Sequence, residues 1–128
     1  MKILFDTGVW LRWYGKLPLP EALKTFVNNN AEQVLLSTTS IYEVIFKWKL
    51  GKLPIPDPDT WISASLEGIC EISPTTQICT QAASWEWANR DPFDRIITAS
   101  ALIECAVLVH TDSQLKDAPG FSQRYFAL

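Results

Sequence analysis

Residues 91–110 read Asp91-Pro92-Phe93-Asp94-Arg95-Ile96-Ile97-Thr98-Ala99-Ser100-Ala101-Leu102-Ile103-Glu104-Cys105-Ala106-Val107-Leu108-Val109-His110. Asp followed by Pro is a helix start, with the carboxylate as N-cap and Pro at the first helical position. Phe93, Ile96, Ile97 and Ala101 then recur at helical spacing, which predicts a helix running to about Cys105. Residues 106–110 follow as a short aliphatic run of the kind that forms a buried strand. A helix feeding directly into such a strand is one half of a parallel-sheet unit.

The rest of the chain repeats that alternation. Lys2–Phe5 and residues 34–37 are further apolar runs of strand length, with a weaker candidate at 69–72. Between them, Leu23, Phe26 and Val27 share a face after Pro20-Glu21. Ile41, Val44, Ile45 and Trp48 follow the i, i+3, i+4, i+7 pattern, with Gly51 placed to end that helix. Residues 60–66 and 76–85 are the remaining predicted helices. Short buried strands alternating with helices predict an α/β fold with a mainly parallel sheet.

The composition agrees with one domain over residues 1–128 and excludes several function classes. A chain of 128 residues, 48% hydrophobic and 12% aromatic, is too apolar to be disordered. Three cysteines (Cys70, Cys79, Cys105) are too few and odd in number for a disulfide framework, and their apolar contexts suggest core filling. With one histidine, His110, and no C-x-x-C, a zinc site is disfavoured. No apolar stretch approaches the ~20 residues that span a bilayer, so the expectation is a soluble, cytoplasmic protein without a membrane partner. The formal charge is −3. Residues 1–64 carry seven basic and six acidic side chains, whereas 65–128 carry four and eight. Overall charge therefore supplies no attraction for a polyanion.

In parallel sheets, ligands bind beyond the carboxyl ends of the strands. Asp6 directly follows the first predicted strand, and Asp112 lies two residues beyond 106–110. Glu43 and Asp94 lie at the starts of predicted helices that face the same rim, with Asp91 beside Asp94 as an additional candidate. Taken singly, these residues read as caps. Ser40-x-x-Glu43 fits a capping box, Asp91 an N-cap, Asp94 a dipole partner and Asp112 a turn cap. Convergence changes the reading. Two carboxylates ~5 Å apart repel by roughly 3 kcal/mol at an effective dielectric of 20. Several around one crevice need protons, basic partners or a bound cation. An all-oxygen set suits Mg²⁺ or Mn²⁺, and the natural chemistry is phosphodiester hydrolysis by an activated water.

At these residues the chain resembles the PIN domain family, and within it the VapC-type toxin ribonucleases of toxin–antitoxin pairs. The resemblance lies in ILFDTGVWLRW, LSTTSIYEVIFKWKLGKL, NRDPFDRIITASAL and VLVHTDSQL, in that order along nearly the whole chain. Residue by residue, Asp6, Glu43, Asp94 and Asp112 match the family's metal-binding carboxylates, and Asp91 belongs to the same DPFD motif. The resemblance implies a three-layer α/β/α domain with a parallel central sheet. It also implies an endoribonuclease using one or two Mg²⁺ or Mn²⁺ ions, usually a homodimer, silenced by a cognate antitoxin. Two positions depart from the pattern: Gly8 stands where members often carry His, and His110 where a hydroxyl is common. Neither departure removes a carboxylate. A non-catalytic PIN-like module that binds RNA or protein is the alternative that these two positions motivate.

Lys47, Lys49 and Lys52, along and beyond the Glu43 helix, are candidate contacts for RNA phosphates, or else a solvated helix face. Arg95 is a candidate partner for a site carboxylate or for a structural ion pair. His110 is a candidate supporting partner for a site residue, a proton carrier, or a solvated strand-end residue. Trp85 and Trp87, which flank Glu86, are expected not to be both buried. Loops 54–59 and 83–90 would shape substrate choice. A strongly negative pocket predicts an inhibitor that inserts Arg or Lys among the four carboxylates, with its apolar part packed on Trp10, Trp13 or Trp48.

Overall fold

The computed structural model describes residues 1–53 and 55–128, so Pro54 of the 54–59 loop lies outside the described residues. In chain order the elements are β1 (Lys2–Phe5), α1 (Thr7–Tyr14), α2 (Glu21–Asn30), β2 (Gln33–Ser37), α3 (Thr38–Lys49), α4 (Pro58–Ser65), β3 (Cys70–Ile72), α5 (Thr76–Ser84), α6 (Pro92–Ile103), β4 (Val107–His110) and β5 (Gln123–Tyr125). Each predicted strand forms, within a residue of its expected bounds. Asp91 caps α6 as expected, its Oδ1 accepting from the Phe93 N–H at 2.9 Å, with Pro92 in the first turn.

Two elements are new. Helix α1 starts at Thr7, immediately after β1, and its Gly8 and β-branched or aromatic residues carry little helix propensity. It forms because Val9 and Trp10 are wholly buried against the sheet. β5 is a three-residue edge strand, Gln-Arg-Tyr, too short and polar for alternation to show. The helix carrying Glu43 also starts earlier than the capping box implied. Ser37, the last residue of β2, is the N-cap, its Oγ accepting from the Thr39 N–H at 3.2 Å. Strand and helix join without a loop, so Ser40 falls inside the helix, where it is fully buried.

All five strands pair in parallel in the order β3-β2-β1-β4-β5. Alternation along β1 divides the core. Ile3 and Phe5 face one side, with Leu36, Val109, Val9 and Trp10 of α1, Leu23 and Val27 of α2, and Val44 of α3. Leu4 faces the other, with Leu35, Leu108, and Ile97 and Ala101 of α6. Helix α5 packs on α6 through Ile78, Ala82 and Ala99. The result is the expected three-layer α/β/α arrangement. From β1 the chain builds outward through β2 to β3, then returns to the other side of β1 with β4 and β5. The sheet's switch point therefore lies between β1 and β4, which is where ligands bind in such sheets. Among the described residues, no helix is long and apolar enough to cross a membrane.

Candidate active site

The switch point brings predicted residues together. Asp6 follows β1 as the N-cap of α1, and Asp112 leaves β4 two residues after its end. Paired in register, Phe5 and Val109 set these two exits side by side, and the Asp6 N–H donates to the Val109 carbonyl at 3.1 Å. Asp6, Glu43 and Asp112 line one cleft of about 220 Å³, together with Thr7, Gly8, Leu11, Val44, Lys47 and Leu53. Asp94, in the first turn of α6, acts on Asp6 through its charge. Among the described residues, no three acidic, cysteine or histidine side chains close on a single coordination point. Three carboxylates line the cleft, and Asp94 completes a loose ring from outside its lining.

Electrostatics marks this ring as unusual. Burial pushes the Asp6 carboxyl from 3.8 up to about 7, and the neighbouring charges of Asp94, Glu43 and Asp112 add to the effect. Asp94 is raised to about 6, again first by burial, with Asp91, Asp112 and Glu43 contributing and a hydrogen bond from Asn89 opposing. Groups that would hold a proton near neutral pH for want of compensation are suited to a cation instead. All donors on offer are oxygens, which fits Mg²⁺ or Mn²⁺ better than zinc.

The basic candidates separate. Lys47 turns into the cleft and bonds Glu43 Oε2 at 2.6 Å, one turn along α3. Lys49 and Lys52 are exposed, and neither lines the cleft. Arg95 pairs with no site carboxylate. Its guanidinium donates instead to main-chain carbonyls of Ala82, Trp85, Trp87 and Asn89, holding loop 85–89 against α6. Asp91 spends one oxygen on capping α6.

His110 is not solvated. It is fully buried; its Nδ1 accepts from the Asp112 N–H, and its Nε2 lies 2.6 Å from Gln123 Oε1 on β5. A main-chain N–H can only donate, so Nδ1 is the acceptor and Nε2 carries the proton. Burial holds its pKa below the ordinary value, and the neutral ring steadies the strand exit that presents Asp112. Among the aromatics, Trp10 is wholly buried and cannot receive a partner. The exposed apolar row on α3 is Tyr42, Phe46 and Leu50, with Tyr42 stacked on Phe46. Trp85 and Trp87 are both half-buried, edge-on to each other. Two of the three cysteines, Cys79 and Cys105, are exposed rather than core.

Sequence reasoning missed two tethers. Thr7 Oγ1 donates to Ser40 Oγ at 2.8 Å, both buried, joining the helices that carry Asp6 and Glu43. Asn89 Nδ2 donates to Asp94 Oδ2 at 3.0 Å. Neither has a spacing signal, because each partner comes from a different element or loop.

Comparison with known proteins agrees with the geometry. Residues 3–120 match the family model of the PIN domain. No curated protein sequence matches the chain. Among solved structures, VapBC2 from Rickettsia felis bound to a DNA fragment from its promoter superposes with a TM-score of 0.73 at 14% identity, covering 98% of this chain and 99% of that one. A toxin–antitoxin complex from Klebsiella pneumoniae gives 0.72 at 17%, covering 98% and 99%. VapBC-1 from nontypeable Haemophilus influenzae gives 0.68 at 19%, covering 98% of both chains. At such identities the likeness is one of fold.

Proposed function

The chain belongs to the PIN domain family, and from that premise we propose that it is a metal-dependent endoribonuclease, the toxin of a toxin–antitoxin pair, acting in the cytoplasm as one domain over residues 1–128. One observation carries the reading: Asp6 lies at the switch point among three further carboxylates and is driven up to about 7 by burial and their charge. Asp6, Glu43, Asp94 and Asp112 would hold one or two Mg²⁺ or Mn²⁺ ions, with Asp91 at the rim. The ion would supply an activated water and charge neutralisation at the scissile phosphate.

The chain's own residues prepare that chemistry. β1 and β4 fix where Asp6 and Asp112 leave the sheet, and α3 and α6 bring Glu43 and Asp94 to the same rim. Lys47 neutralises Glu43 in the absence of another cation and would swing toward a phosphate when one takes its place. Lys49 at the end of α3 and Lys52 beyond it would touch more distant phosphates. The solved relatives named above include toxin–antitoxin complexes, which supports an antitoxin partner; the negative cleft would take an inhibitory Arg or Lys from it among the four carboxylates. The homodimer implied by the family resemblance belongs to the same proposal. Retention of all four carboxylates weighs against the binding-only alternative.

The test is cleavage of a structured RNA by purified protein with Mn²⁺ or Mg²⁺, compared with the same mixture in chelator. Cleavage should require metal, and Asp6→Asn and Asp94→Asn should each lower it by more than the ~100-fold typical of losing an outer partner. Both variants should stay folded by circular dichroism. Cleavage at the wild-type rate by both would overturn the assignment.

A further inference from the structure

Asp94 differs from Asp6 and Asp112, which accept from main-chain N–H groups, in having a neutral side-chain donor committed to it. Asn89 lies in the loop before α6, half-buried, and makes two side-chain hydrogen bonds. Its Oδ1 accepts from the Asp91 N–H at 2.8 Å, and its Nδ2 donates to Asp94 Oδ2 at 3.0 Å. The first bond settles the amide's orientation. A main-chain N–H can only donate, so the oxygen must face Asp91 and the NH₂ must face Asp94. One carboxylate oxygen of Asp94 is thereby held by Asn89, and the other is left for a cation.

Asn89 is itself held in place. Arg95 Nη1 donates to the Asn89 carbonyl at 2.7 Å and to that of Trp87 at 3.1 Å, while Nε donates to Ala82 at 2.8 Å and Nη2 to Trp85. The guanidinium also lies 5.9 Å from the centre of the Trp87 ring. A planar, permanently charged fork suits this task, since four carbonyls converge on one side chain without needing a buried anion. The Arg next to Asp94 in sequence thus serves Asp94 indirectly, through the loop that carries Asn89.

We propose that Asn89 is a positioning residue for divalent metal binding, orienting the Asp94 carboxylate from a loop that Arg95 anchors. The proposal rests on the metal-site reading above. Ligating carboxylates held by a hydrogen bond from a neighbouring group bind metal 10–100-fold more tightly than unheld ones, to order of magnitude. Asn89 touches neither substrate nor ion in this role.

Asn89→Ser separates positioning from loop shape. A serine hydroxyl can still accept from the Asp91 N–H, as in the related turns, but is too short to reach Asp94 and adds no charge. Mn²⁺ binding by the full chain, read by calorimetry or by the electron spin resonance of free Mn²⁺, should weaken about 10-fold or more. The metal-free melting temperature should stay within about 2 °C of wild type, since an exposed turn is conserved. Asn89→Gln, which keeps an amide donor, should bind Mn²⁺ more tightly than Asn89→Ser. Wild-type affinity in Asn89→Ser would overturn the proposal. So would a Gln variant no better than Ser, or a Ser variant whose weakened binding comes with a melting loss beyond that margin. Wild-type protein that binds no Mn²⁺ would instead overturn the metal reading itself, and that arm is read independently of any variant.

Discussion

The two sides of the cleft are built by different forces. Asp6 and Glu43 stand on elements seated in the core: β1 and α1 pack through Ile3, Phe5, Val9 and Trp10, and α3 through Val44. Their placement follows from burial of apolar surface, with one buried tie between them, Thr7 to Ser40. Asp94 stands at the first turn of α6, beside the loop running from Trp85 to Asp91. There a polar network is added to the packing of α6: four bonds from Arg95, two through Asn89 and the Asp91 cap. Apolar packing is tolerant of small changes and acts over many atoms, whereas a polar network depends on each member. The first side should therefore be stiff and hard to perturb by one substitution, and the second should fail as a unit.

The largest expected effect comes from cutting the network at its centre. Arg95→Met keeps the apolar stem but leaves four carbonyls without their donor. Hydrogen bonds to a charged group contribute about 1.5–3 kcal/mol each and do not add, so a loss of about 3 kcal/mol is expected, on the order of 10 °C in melting temperature. A drop of only a degree or two, read by differential scanning calorimetry, would show that packing of α5 on α6 orders this side as well, and the contrast would collapse.

A smaller effect tests the shared electrostatics. Asp6 and Asp94 sit above the ordinary carboxylate value of 3.8, at about 7 and about 6. Between about pH 4 and pH 7 the native protein retains protons that the unfolded chain has released. The contribution of these two carboxyls to metal-free stability is then fully present below that window and falls as pH rises through it, outweighing the single opposing titration of His110. The melting temperature should decline by about 5 °C from pH 5 to pH 7 without metal, and saturating Mg²⁺ should flatten the decline by favouring the ionised forms. A metal-free profile that rises over this interval would mean the ring is better compensated than its burial implies.

The smallest effect probes the packed side. Thr7→Val removes the donor to Ser40 Oγ at nearly constant volume, at a cost of about 1–2 kcal/mol in urea unfolding. Mn²⁺ affinity should change less than twofold, because packing still holds α1 against α3. Weakening as large as that expected for Asn89→Ser would show that both sides depend on single polar ties.

Much of this is legible in the sequence alone. Lys2–Phe5 is apolar, of strand length and followed by an acid, so both the strand and the position of Asp6 could be read directly. Asp91-Pro92 marked the start of α6 because capping chemistry is local. α1 was not legible, since its Gly, Thr, Val and Trp residues argue against a helix and only contact with the sheet overrides them. Ser40 misled for a related reason. The motif around Glu43 fits a cap, but β2 enters α3 without a loop and the capping position moves back to Ser37. The sequence left the three lysines between phosphate contacts and a solvated helix face, and only the structure separates Lys47, paired with Glu43 in the cleft, from the exposed Lys49 and Lys52.

By itself the sequence determined the alternation of strands and helices and the parallel sheet, and nominated the candidate carboxylates, because these depend on period, capping and composition within a few residues. Only the tertiary structure decided that β1 and β4 are neighbours, that their exits bring Asp6 and Asp112 to one cleft, and which partners Arg95, Asn89 and His110 bond. Strand order, burial and the partner of a polar side chain are set by residues far apart in the chain. No local pattern encodes which distant carbonyl or carboxylate a donor will find when the core closes.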